Sequence, residues 1–81
     1  MDYASVKTEI GEIFEDVMDL DEVVLEDGTT ADDIEEWDSL SHVRLIVAVE
    51  RQYGIKFSNA EIDGLTKFGD IVSLVLEKKA A

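Results

Sequence analysis

Apolar residues three and four places apart run through most of this chain, and that period admits helices and little else. Val6, Ile10, Ile13, Phe14 and Val17 predict a first helix over about 3–20, with Asp2 as its N-cap. Leu40, Val43, Ile46, Val47 and Tyr53 predict a second over 39–53, widened by Leu45 and Val49 and closed at Gly54. The run "LIVAV" inside it would also suit a buried strand, but the helical spacing continues on both sides, so length decides for helix. Ser58 and Glu61, three apart, form a capping box for a short third helix that brings in Ile62 and Leu65 and stalls at Gly64. A fourth, over 67–79, turns Phe68, Ile71, Val72, Val75 and Leu76 inward, and Lys78 and Lys79 suit its negative end. The expected fold is all-α: a small four-helix bundle, one domain over 1–81, with a long loop between helices 1 and 2.

That loop, 21–37, holds the turn signal "DGTT" and eight of the chain's twenty acids. A polar loop this long needs anchors, and Val23, Val24, Leu25 and Ile34 are expected to tuck beneath it. The net charge of −13 is unevenly laid down. Residues 19–38 carry ten acids and no base, whereas 39–81 carry five acids and six bases. Such a chain repels nucleic acid, and its concentrated negative stretch would steer a basic partner face toward the start of the second helix. Apolar residues make up 46% of the chain, enough for a core despite the acidity. There is no cysteine, which removes disulfides and thiolate metal sites. No apolar run is long enough to cross a bilayer and the N-terminus lacks a signal-peptide pattern, so a soluble, cytoplasmic monomer is expected.

Three sites come into view. Ser39 and His42, with Asp38 adjoining, have the residue types of a hydrolase triad. The chain lacks a GxSxG elbow and offers little room for a dry substrate pocket, so His42 reads as a surface residue beside the serine. Residues 59–70, "NAEIDGLTKFGD", have the spacing of a calcium loop. It begins with Asn59, ends on the short Asp70 and places Lys67 near the ion, and the capping box already employs Glu61. No metal site is assigned. Ser39 itself suits a helix N-cap, as does Asp38, and position alone does not choose between them.

The segment "WDSLSHVRLIVAVERQYGIKF" resembles the phosphopantetheine-attachment segment of acyl carrier proteins, whose signature is Asp-Ser-Leu at the start of the second helix. The resemblance covers nearly the whole chain. It implies that Ser39 carries 4'-phosphopantetheine, added from coenzyme A by a phosphopantetheinyl transferase that Asp38 helps to engage. It also implies that the chain is no enzyme: the arm supplies the thiol, and acyl groups travel on it as thioesters between loading and processing enzymes. Partner contacts would come from Leu40, Val43 and Val47, which also pack the core, and from Glu35, Glu36 and Glu50. Helices 2 and 3 would part to admit cargo among Val43, Ile46, Val47, Ile62 and Leu65. Trp37 would cover the apolar underside of the loop or contact the bound arm, with packing the preferred role. Arg44 and Arg51 stand where the family's fatty-acid members tend to be acidic, which implies a specialised, stand-alone carrier. Fatty acyl, polyketide and aminoacyl or D-alanyl cargo all remain open, as does a non-carrier acidic adaptor.

Overall fold

The computed structural model describes residues 2–80. It contains α1 (Tyr3–Met18), α2 (Ser39–Tyr53), α3 (Asn59–Gly64) and α4 (Phe68–Ala80). Asp2 caps α1 by accepting the Ser5 N–H at 2.7 Å. The helix ends two residues earlier than its pattern, because Asp19 turns into the left-handed region at φ 56° and closes the last turn. Gly54, at φ 66°, closes α2 in the same way. Ser58 and Glu61 form the expected reciprocal box on α3, satisfying two N–H groups that a helix start leaves without partners.

The core is one apolar cluster to which every helix or its cap contributes. Val6, Ile10 and Phe14 of α1 meet Leu45, Ile46 and Val49 of α2 and the buried face of α4. Phe14 sits at its centre, edge-on to Phe68 at 6.0 Å and to Trp37 at 5.1 Å, the arrangement ring quadrupoles favour. Three residues expected in this core are not in it. Leu40, Val43 and Val47 face outward, 64%, 53% and 39% exposed, because α2 buries the side that carries Leu45, Ile46 and Val49.

The α1–α2 loop is held from both ends. Ile34 and Trp37 are buried and Val23 and Leu25 pack partly, but Val24 is 80% exposed and anchors nothing. Main-chain bonds do what Val24 was expected to do. Phe68 N–H donates to the Thr29 carbonyl at 2.8 Å and Gly69 N–H to the Asp27 carbonyl at 3.0 Å, fastening the loop to the first turn of α4. Thr30 and Lys67 form an antiparallel bridge there, the single β-type pairing among the described residues. The approach is so close that a Cβ on Gly69 would lie 2.9 Å from the Asp27 carbonyl oxygen. Side chains add to the clamp: Tyr3 donates to Asp27 at 2.9 Å and Lys7 pairs with it at 3.2 Å.

Candidate functional site

Asp38 and Ser39 divide two tasks that the sequence left undivided. Asp38, in extended conformation, is the N-cap of α2, and its carboxylate accepts the Ser41 N–H at 2.9 Å. Ser41 replies by accepting the Asp38 N–H at 2.8 Å and donating its hydroxyl proton to the Glu36 carbonyl at 2.8 Å. The Ser41 N–H bonds favour the charged carboxylate and hold Asp38 below the usual carboxylate range. Ser39, the first residue of the helix, is exposed, and no side-chain hydrogen bond among the described residues engages its hydroxyl. A hydroxyl at this place, relieved of capping, is open to modification. The positive end of the α2 dipole lies beside it and favours a phosphate there.

Behind Ser39 a cleft of about 690 Å³ opens between the loop, α2 and α3. Trp37, His42, Val43, Ile62 and Leu65 supply much of its wall, with Thr30, Asp32 and Asp63 among its polar groups. Of the five residues expected to receive cargo, Val43, Ile62 and Leu65 line this space; Ile46 and Val47 do not. Ile46 is sealed in the core and Val47 points to solvent.

His42 is half-buried at the surface rather than free beside the serine. The Trp37 indole N–H donates to His42 Nδ1 at 3.0 Å, and His42 Nε2 lies 3.4 Å from the Ile62 carbonyl. An indole N–H only donates, so Nδ1 must accept and the ring proton belongs on Nε2, facing Ile62. The imidazole thus bridges loop, α2 and α3 at the cleft wall instead of activating Ser39. Trp37 is buried against Phe14, which gives it the packing role expected of it. Glu35 and Glu36 are exposed. Glu50 is half-buried, and its carboxylate accepts the Phe57 N–H at 2.8 Å, holding the α2–α3 turn. The would-be calcium loop is helical over Asn59–Gly64, and Glu61 is occupied by the Ser58 N–H and by Lys78 at 3.0 Å.

The family model for the phosphopantetheine attachment site matches residues 8–75, taking in Ser39, its cap and the cleft behind it. The chain belongs to the acyl carrier protein family. It is 36% identical over 73 residues to an acyl carrier protein of Rhodococcus erythropolis, spanning 89% of this chain and 79% of that one. Its fold superposes on the solution structure of a holo acyl carrier protein from Geobacter metallireducens with a TM-score of 0.86. The two share 44% identity over 93% of this chain and 86% of the other. Members of this family are carriers rather than catalysts, and the group that goes with the matched site is covalent 4'-phosphopantetheine. An exposed, uncommitted serine hydroxyl beside a helix N-terminus fits that group.

The cleft's polar wall escaped the sequence reading. Thr30, Asp32 and Asp63 reach it from two segments far apart in the chain, and no spacing in the sequence joins them. His42 could have been found: once Asp38 is fixed as the cap, His42 falls on the inward side of the first turn, beside Ile46.

Proposed function

We propose that this protein is a cytoplasmic carrier whose arm is attached at Ser39. The observation that carries the reading is the division of labour at the start of α2. Asp38 and Ser41 complete the helix cap between them, which leaves the exposed Ser39 hydroxyl with nothing structural to do. A separate phosphopantetheinyl transferase, using Mg²⁺, forms the Ser39 Oγ–phosphorus bond as the P–O–P link of coenzyme A breaks; adenosine 3',5'-bisphosphate leaves and the serine proton passes to a base of that enzyme or to solvent. Asp38 and the exposed Glu35 and Glu36 present negative charge to that enzyme. The arm's thiol then takes acyl groups as thioesters, and the cleft behind Ser39 shelters the part of the cargo next to the arm. The cleft favours a carrier over an acidic adaptor, which would need no space behind the serine. The departure of Arg44 and Arg51 from acidity supports a specialised pathway over general fatty-acid synthesis.

Intact mass after incubation with coenzyme A, Mg²⁺ and a broad-specificity transferase tests the attachment. The wild type is expected to gain one phosphopantetheine and Ser39→Ala none, with the helical circular dichroism of both unchanged. Uptake by Ser39→Ala, or none by the wild type while a known carrier is labelled alongside, removes Ser39 from its role. Acylating the labelled protein with a medium-chain thioester should then move the NMR signals of Val43, Ile62 and Leu65. If they stay where they were, the cleft does not hold cargo.

A further inference from the structure

The outward face of α2 is built unlike the rest of the surface. Leu40, Val43, Arg44, Val47 and Arg51 follow one another at intervals that return to the same side of a helix. From Leu40 to Arg51 the stripe is about 17 Å long at the helical rise. Its three aliphatic residues are among the large hydrophobics the molecule leaves exposed. Its two arginines are exposed, and neither forms an ion pair among the described residues. The one acid at its border is Glu50, three residues beyond Val47, which is half-buried and accepts the Phe57 N–H at 2.8 Å. Within a chain of net charge −13, this face is positive.

Apolar surface edged by unpaired guanidinium groups fits a partner that supplies both a recess and carboxylates. A second copy of this chain is a poor occupant, since two molecules of charge −13 repel one another. Resting on the carrier reading above, we propose that α2 docks an enzyme surface with an apolar recess for Leu40, Val43 and Val47, bordered by carboxylates that pair with Arg44 and Arg51. Along the chain, Ser39 stands between this positive stripe and the exposed acids Glu35, Glu36 and Asp38. The charge order along the docking surface therefore runs negative, attachment site, positive. A partner can match that order in one direction only, so the charges set which way the carrier lies when Ser39 is presented.

Two synthetic helical peptides test the face, both with the same leucine stripe, one flanked by glutamates and the other by lysines. Each is titrated into the isotope-labelled protein at 0.15 M salt, where long-range repulsion is largely screened. The glutamate peptide is expected to shift the amides from Leu40 to Arg51, and Arg44→Gln/Arg51→Gln to bind it roughly tenfold more weakly. Unmoved stripe amides, equal binding by the double variant, or tighter binding of the lysine peptide on this stripe each overturn the proposal. So does a concentration-dependent dimer that the double variant dissolves, which gives the face to a second copy. Phosphopantetheine uptake is measured on the same samples. A protein that takes the arm and ignores the glutamate peptide remains a carrier and loses this docking surface; the reverse result spares the surface and removes the carrier.

Discussion

At the scale of single residues, the start of α2 shows how a cap can have consequences for chemistry. Had Ser39 been the cap, its hydroxyl would have been spent on a helix N–H; the extended Asp38 takes that place instead. The charge on Asp38 makes the cap sensitive to acid. Its folded pKa is held below the ordinary 3.8 by the Ser41 N–H, so the cap's electrostatic contribution is complete above pH 3.8 and is lost as the pH falls through the folded value. Asp38→Asn keeps a good capping side chain and removes the titration. Melting temperatures from pH 6 to pH 2 are therefore expected to fall more steeply for the wild type than for the variant below about pH 4. Relief of general repulsion is shared by both proteins and cancels in the comparison. Parallel curves would show that the charge of Asp38 adds nothing to the cap.

At the scale of elements, the helices were legible and their attachments were not. The period of Val6, Ile10 and Phe14 is enough to place α1, and the glycine that ends α2 and the Ser58–Glu61 box that starts α3 are local signals. The loop is another matter. Its expected anchor Val24 is exposed, and the true anchors are carbonyls of Asp27 and Thr29 received by α4, which main-chain chemistry allows at any side chain. Likewise α2 has more aliphatic positions than one buried face can use, and only the packing of the other helices leaves Leu40, Val43 and Val47 on the uncovered side. One trace of the clamp did stand in the sequence: a glycine in the first turn of α4, a poor helix former where the pattern did not require it. Gly69→Ala is expected to destabilise the fold by about 1–3 kcal/mol, since the new methyl meets Asp27 main chain that has no rotamer to change. Denaturant unfolding measures this, and Gly64→Ala, where a Cβ meets open space, serves as the comparison. Equal effects at the two glycines would contradict the close contact.

At the scale of the whole molecule, charge works against compactness. The protein extends 33 by 26 by 21 Å, while the screening length is about 30 Å at 0.01 M salt and about 8 Å at 0.15 M. In dilute salt every acid therefore feels nearly every other; at physiological strength it feels its neighbours. Thermal stability at pH 7 is expected to rise between these two concentrations, even though the Lys7–Asp27 and Lys78–Glu61 pairs weaken. A flat or falling melting temperature would mean that those pairs outweigh the general repulsion. The side chains of Asp32, Glu35 and Glu36 enter no hydrogen bond or ion pair among the described residues, and the loop that bears them is clasped largely by its own backbone. Mutation can therefore repaint this part of the surface without disturbing the frame beneath. A lineage built on such a frame can exchange one client enzyme for another by a few substitutions while the serine stays where it is.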